Sequence, residues 1–556
     1  MDNTLINDFK KEDLLFLPLG GAGEIGMNCY LYHYMDQWLM IDLGITFKDD
    51  RVESADLILP DIDFIIKRKD KLSGIVLTHA HEDHIGGMPY LYKDLKNVPI
   101  FTTPFTSSVL RRKFRSENEL NLNILKYNQK FNIGCFNLEI LALTHSIPEP
   151  NAVIIRTSKG NIFHTGDWKL DPKPLIGNAI DEKKIIEIQK EGILAMVCDS
   201  TNVFNTIPSG SENDVRNNFK KIFSEHVSGK IIVTCFASNI ARLETIATIA
   251  NQFDRSCVLV GRSLKRMYES ALENNYLNNI PEFLDEKEAK NLPEENLVLI
   301  CTGSQGENRA ALYKLISGTN SNFSIYSEDL VLFSSREIPG NEKQINHLKE
   351  ILIKSNCKYI DDNMSLIHVS GHPSRPELEK MYKWVKPKIL IPVHGEFQHL
   401  KEHYEFAQDS GIKSSMLIEN GDKVLLNKGN EESRVISKVY TGRKALKGNR
   451  ILSINKRVFD NLRVINSDGM ISAVVVLNTS DELMTDPVIS ALSIFDDEDK
   501  SEKKLVINFL KNFIIKIIDT GFDDKMISDE IKKKLKSYLK QEYGVKPLID
   551  IKLIRV

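Results

Sequence analysis

Three histidines and an aspartate fall within six positions of Leu77-Thr-His79-Ala-His81-Glu-Asp83-His84-Ile-Gly-Gly87, directly after an apolar run and just before a glycine pair. No other segment limits the fold as much, because these side chains read as ligands and their spacing asks for two metal ions. If Gly74-Ile-Val-Leu77 is a strand, His79 and His81 leave its end on one side toward a first ion. The chain then turns, and Asp83 and His84 can face a second ion at a separation on the order of the 3.5–4 Å used by two-metal hydrolases. The bland alternative is a chance cluster of polar loop residues.

A binuclear centre needs further ligands, and they follow other apolar runs. Leu138–Leu143 is followed by Thr144-His145, Asn161–Thr165 by Gly166-Asp167, and Lys388–Val393 by His394-Gly395-Glu396. Each reads as strand, ligand, loop. His145 would complete the first site, His394 would close the second, and Asp167 has two oxygens with which to bridge both. A lone histidine after a strand is usually structural, so the inference rests on the set.

With these residues in place the chain resembles the metallo-β-lactamase superfamily, within it the β-CASP nucleases, and more narrowly the bacterial ribonuclease J family over essentially its whole length. The matching segments are Leu19–Asn28, His79–Gly87, His164–Asp167, Asp199–Asn202, Thr302–Glu307, Ile338–Glu342, His368–His372 and Pro392–Glu396, all in the same order. The resemblance implies metal ligands at His79, His81, Asp83, His84, His145, Asp167 and His394, and the additional β-CASP residues Asp199, His372 and His394. It also implies two divalent ions per subunit, Zn²⁺ first with Mn²⁺ or Mg²⁺ as alternatives, and single-stranded RNA as substrate.

Length and charge agree with such an enzyme. At 556 residues the chain is too long for one compact core and suggests two to four domains. A formal charge of −3 argues against coating nucleic acid by bulk electrostatics, so RNA contacts must be local. Arg111-Arg112-Lys113-Phe114-Arg115 is the best basic candidate, against the plainer reading of a solvated helix face. Seven scattered cysteines, none spaced CxxC, read as thiols in a reducing compartment. With no apolar leader and no stretch near ~18 apolar residues, the expectation is a cytoplasmic protein without a membrane partner.

One motif must be set aside. Gly21-Ala-Gly23-Glu-Ile-Gly26 follows a strand-like run and is formally GxGxxG, with Asp42 at the distance of a ribose-binding acid. But Cys29–Tyr34 and Trp38–Asp42 read as two more strands joined near Asp36-Gln37, whereas a dinucleotide site needs a helix there. The glycines more plausibly bring backbone to the metal cleft, and Asp42 can orient a metal-bound histidine from behind.

The expected fold class is α/β: a metallo-β-lactamase αββα sandwich (residues 1–205 and 366–445), an inserted β-CASP parallel-sheet domain (206–365), a linker (446–465) and a small C-terminal α+β domain (466–556). The insert is read from βα alternation, such as Lys230–Phe236 then Asn239–Gln252. Because His394 lies beyond it, the first domain must be discontinuous. The histidine-free C-terminal domain is expected to support contacts in a homodimer or homotetramer, with a paralogous subunit as a further partner.

For chemistry, Asp83 is placed to bind the second ion and orient a hydroxide, and His372, oriented or kept charged by Asp199, to protonate the leaving 3′ oxygen. His368-Val369-Ser370-Gly371-His372 has the makings of a phosphate cradle, with Ser304, Gln305 or Arg336 nearby. The resemblance implies a 5′-to-3′ exonuclease preferring 5′-monophosphates and an endonuclease in one site, acting in mRNA decay and rRNA maturation. Phe47 can stack on a terminal base. Phe47-Lys-Asp-Asp50, Pro373 and Arg375 depart from the family pattern and bear on 5′-end selection. The rivals are a non-catalytic RNA-binding paralogue, a DNA-processing β-CASP nuclease, and a thioester or lactam hydrolase.

Overall fold

The computed structural model describes residues 9–47, 52, 55–95, 98–114, 120–428, 432–454, 457–495, 500–518 and 520–556. Arg115, Lys48, Asp49 and Asp50 lie outside them. The chain forms two compact units, one holding the chain to Thr46 and Leu59–Gly442, the other Phe47–Ile58 and Arg443–Val556.

Two sheets face each other in the first unit. The eight-stranded one runs Arg434–Lys438, Asp422–Leu426, Leu14–Gly20, Cys29–Tyr34, Gln37–Ile41, Leu72–Val76, Ile100–Thr102, Leu122–Ile124. The seven-stranded one runs Ser414–Ser415, Ile389–Val393, Ile193–Asp199, Gly160–His164, Asn151–Thr157, Phe136–Ala142, Lys130–Ile133. Alternate residues explain the layers. Leu138 and Ile140 join Phe16, Tyr32 and Ile41 between the sheets, while Leu141 and Leu143 face outward beneath helices carrying Ile185, Leu378, Met381 and Ala407. The parallel strands covered on both faces, Ile193–Asp199 and Ile389–Val393, are accordingly apolar almost throughout. Each fully buried Leu, Ile or Phe contributes about 1.5–3 kcal/mol.

Between Asp199 and Ile389 lies the insert, a five-stranded, wholly parallel sheet in the order Ser256–Val260, Leu297–Cys301, Ile231–Thr234, Leu330–Phe333, Lys358–Ile360. Helices Ile240–Gln252 and Arg262–Glu273 follow the first two strands in sequence, as the βα alternation predicts. The chain then returns directly beside its point of departure: Ile193–Asp199 pairs in parallel with Ile389–Val393, Asp199 opposite Val393. The sandwich domain is therefore discontinuous.

The second unit differs from expectation in one place. The stretch 446–465 overlaps a hairpin, Arg443–Lys447 with Arg450–Ser453, and a helix, Arg457–Asp468. Few of its residues are buried, chiefly Ala445, Leu446, Leu452 and Phe459, so its apolar pattern is too sparse to read from sequence. Beyond it, Val488–Leu492, Met470–Leu477 and Leu548–Arg555 form a mixed sheet. Ile471, Ala473 and Val475 pack with Val506, Leu510, Ile527 and Ile531 of helices Lys500–Ile518 and Asp524–Tyr543. Among the described residues no helix is long and apolar enough to cross a membrane.

Candidate metal centre

The parallel strands of both sheets end at one crevice, where ligands of open α/β sheets gather. Asp42 follows Gln37–Ile41, Thr78 and His79 follow Leu72–Val76, Asp167 follows Gly160–His164, Asp199 ends its strand and His394 follows Ile389–Val393. His81 precedes the short helix Glu82–Ile85, which carries Asp83 and His84. Asp42 (φ +61°) and His394 (φ +53°) adopt left-handed backbone, a strain of order 1–3 kcal/mol that concentrates at functional sites. Gly44 lets the Asp83 loop approach, because a Cβ there would lie 1.7 Å from the Asp83 carbonyl oxygen.

Two donor sets result. In the first, His81 Nδ1 lies 3.1 Å from both His79 Nε2 and His145 Nε2, and Asp167 Oδ2 stands 3.8 and 3.7 Å from the latter two. In the second, His84 Nε2 lies 3.5 Å from Asp83 Oδ2 and 3.2 Å from Asp167 Oδ2, and His394 Nε2 lies 3.3 and 3.2 Å from the same oxygens. Ligand bonds of ~2.0–2.2 Å in a tetrahedron set donors roughly 3.3 Å apart, so both sets fit a divalent ion. Asp167 Oδ2 is common to both. The structure thus brings together all seven side chains singled out from the sequence.

Electrostatics favour the same reading. Burial pushes His79 and His145 well below the usual imidazole range and His81 down to about 4, keeping them in the neutral, metal-binding form. Burial also opposes charge at the second set, yet Asp167, Asp83 and Asp42 hold His84 well above its ordinary value. Asp167 and Asp83 likewise push His394 up to about 10. Those imidazoliums in turn hold both carboxylates below the ordinary range despite burial.

The ligands are oriented from behind. Asp42 Oδ2 is 2.7 Å from His84 Nδ1, and its carboxylate also accepts from Thr78 N and Oγ1 at 2.8 Å each. Thr78 Oγ1 lies 3.1 Å from His79 Nδ1, His145 Nδ1 donates to the Gly371 carbonyl at 2.5 Å, and His81 Nε2 meets Ser238 Oγ at 3.0 Å. Gly26 N approaches His394 Nδ1 at 3.3 Å, and His394 N donates to the Gly21 carbonyl, which is how the glycine-rich segment serves the cleft. Sequence reasoning missed Thr78, Gly371 as an acceptor, and Ser238. Ser238 lies just past the carboxyl end of Ile231–Thr234, so the strand-then-polar rule applied to the insert would have flagged it.

Asp199 Oδ2 sits 2.7 Å from His372 Nδ1 and Asp167 Oδ2 3.9 Å away. Burial works to lower the His372 pKa, but Asp199, then Asp167, more than offset it and raise it. The phosphate-cradle segment is fixed from below: Arg242, wholly buried, donates to the Ile367 carbonyl at 2.8 Å and grips Glu212 through Nε and Nη2 at 3.1–3.2 Å. Burial, then Arg242, brings His368 down to about 3. Ser209 Oγ lies 2.6 Å from both the His372 carbonyl oxygen and Glu377 Oε2 and donates its one proton to either acceptor.

Other expected contacts are already engaged. Arg111 and Arg112 pair with Glu273 at 3.0 and 2.6 Å and Lys113 with Glu82, so these half-buried cations are ion-paired to acidic side chains and match neither the RNA surface nor the solvated helix face. Gln305 donates to the Arg336 carbonyl and accepts from Ile338 N, both at 2.9 Å, Ser304 is buried beside it, and Arg336 Nη1 holds Asn202 Oδ1 at 3.2 Å. Phe47 is 63% exposed.

Three family models match the chain: the ribonuclease J β-CASP domain over residues 228–352, a β-lactamase superfamily domain over 41–186, and the Zn-dependent metallo-hydrolase RNA specificity domain over 363–417. Fold and site therefore define a metal-dependent ribonuclease with a metallo-β-lactamase core and a β-CASP insert. Similar proteins include ribonuclease J of Sinorhizobium meliloti, 39% identical over 98% of both chains. Ribonuclease J 1 of Streptococcus pyogenes is 33% identical over 85% of both, and ribonuclease J of Helicobacter pylori 31% identical over 89% of this chain and 72% of its own. The chain belongs to the ribonuclease J family. A solved Enterococcus faecalis protein of unknown function shares the fold alone, with a TM-score of 0.51 and 16% identity over 74% of this chain and 100% of its own.

Proposed function

We propose that the protein hydrolyses phosphodiester bonds of single-stranded RNA at two divalent ions, as a 5′-to-3′ exonuclease preferring 5′-monophosphates and as an endonuclease in the same site, in mRNA decay and rRNA maturation. The observation that carries this is Asp167 Oδ2, shared by two donor sets of His and Asp. His79, His81 and His145 would hold one ion, Asp83, His84 and His394 the other, with Zn²⁺ best suited to the donors and Mn²⁺ or Mg²⁺ as alternatives. Ions so held supply a nucleophile at neutral pH and offset charge on a phosphoryl oxygen.

The chain's own residues do the rest. Asp83 orients the attacking group. His372, its Nδ1 given to Asp199, presents Nε2 to protonate the leaving 3′ oxygen. His368, Val369, Ser370, Gly371 and His372 bind the phosphate, through backbone amides, the Ser370 hydroxyl and imidazole N–H groups. Phe47 stacks on a terminal base. The subunits act as a homodimer or homotetramer. A complete ligand set argues against a non-catalytic paralogue, and His394 in the second set favours RNA over DNA.

The test is a time course of the metal-loaded protein on internally labelled RNA carrying a 5′-monophosphate or 5′-triphosphate, beside His81→Ala. Mononucleotide release from the monophosphate RNA, lost in the variant, is expected. Internal cuts alone would remove the exonuclease, and intact RNA would overturn the reading.

A further inference from the structure

Each histidine of the first donor set has a partner behind it, and one of those partners comes from the inserted domain. His79 leans on Thr78 and His145 on the Gly371 carbonyl, both in the sandwich domain or its returning chain. His81 Nε2 reaches Ser238 Oγ, 3.0 Å away and 157 residues distant in sequence. To hold an ion together with His79 Nε2 and His145 Nε2, each 3.1 Å away, His81 Nδ1 must bring a lone pair. The imidazole proton then belongs on Nε2, where it donates to the Ser238 hydroxyl, and that bond fixes both tautomer and ring plane.

Ser238 is itself held firmly. It sits in the turn between the strand Ile231–Thr234 and the helix Ile240–Gln252, and its carbonyl accepts from Ile240 N at 2.9 Å. Asn239, the next residue, caps that helix by accepting from Arg242 N at 3.0 Å and donates to Glu212 Oε1 at 3.2 Å. Glu212 is locked in turn by the buried Arg242 guanidinium. The hydroxyl is thus presented to the cleft by an internally braced turn.

We propose that Ser238 is a positioning residue for the metal centre: it orients His81 from the β-CASP insert and so makes retention of the first ion depend on how the insert is seated. This rests on the two-ion reading above. Loss of an outer partner of a ligating histidine typically weakens metal affinity about 10- to 100-fold.

The experiment strips the full-length protein of metal and measures zinc binding by competition with a chromogenic chelator, with the d–d spectrum of the cobalt(II)-loaded protein as a second readout. Ser238→Ala should weaken one of two zinc sites about 10- to 100-fold, leave the other unchanged and alter the cobalt spectrum. Ser238→Thr, which keeps the hydroxyl, should bind as the wild type. Wild-type affinity in Ser238→Ala, or an equal loss in Ser238→Thr, would overturn the proposal. His81→Ala separates the two ideas: if it binds zinc as the wild type does, the two-ion reading itself is wrong.

Discussion

Asp42 Oδ2 and His84 Nδ1 lie 2.7 Å apart beneath the second donor set, and the same carboxylate anchors Thr78 N. Asp42→Asn tolerates the left-handed backbone as aspartate does but puts an amide donor among groups that need acceptors. We expect the ion shared by Asp83, His84 and His394 to bind about 10- to 100-fold more weakly. Metal content after dialysis against a graded chelator series checks this, and an undiminished second ion would refute it.

Asp199 sets the pH response of His372. Because its charge raises the His372 pKa in the fold, the proton is held, and contributes stability, below the ordinary histidine pKa and is lost as pH rises through the raised value. Asp199→Asn should move the alkaline limb of kcat/KM to lower pH, with a parallel fall in the His372 pKa seen by NMR in metal-free protein. A limb that stays put would exclude His372 as the proton donor.

Metal uptake should expel protons. His394, pushed up to about 10, carries a proton at pH 8, and His84 is held above its ordinary value, so a cation must displace protons from this donor set. Calorimetric titration of zinc in buffers of different ionisation enthalpy should report release of about one to two protons at this pH, and affinity should fall as pH falls.

Gly371 is confined by His145. A Cβ there would stand 2.7 Å from His145 Cε1 and 2.8 Å from Nδ1, so Gly371→Ala must displace either the ligand or the phosphate-binding segment. Displacements near 1 Å cost roughly 100-fold in rate, and we expect a loss of kcat of at least that order with little change in thermal unfolding temperature.

Arg242 and Glu212 form a buried pair that braces Ile367–His372. Removing one member leaves an uncompensated buried charge at a cost of roughly 3–5 kcal/mol. Arg242→Met should therefore lower the urea midpoint, and Arg242→Met with Glu212→Leu should recover much of it.

The sequence made the centre legible because its ligands all follow apolar strands covered on both faces, so that Val76 then His79 and Val393 then His394 stand out. It left the Gly371 carbonyl obscure, since a backbone oxygen carries no residue-type signal of what it faces, and Ser238 was legible only as a polar residue past a strand of the insert. The hairpin at Arg443–Ser453 was hidden for a different reason: with Ala445, Leu446 and Leu452 its main buried residues, its alternation is too short to outweigh its basic character. The Arg111–Lys113 run looked like a surface for phosphate until Glu273 and Glu82 proved to occupy it.

The side-by-side pairing of Ile193–Asp199 with Ile389–Val393 governs when the two donor sets can be completed during synthesis. Roughly 200 residues separate Asp199 from His394, so at ~5–20 residues per second the ribosome needs on the order of ten to forty seconds to supply the last ligand. Throughout that interval the nascent sandwich lacks Ile389–Val393 and every strand after it, and its second donor set lacks His394. The complete pair of donor sets therefore assembles only after the insert has been delivered and the returning strand has closed the gap.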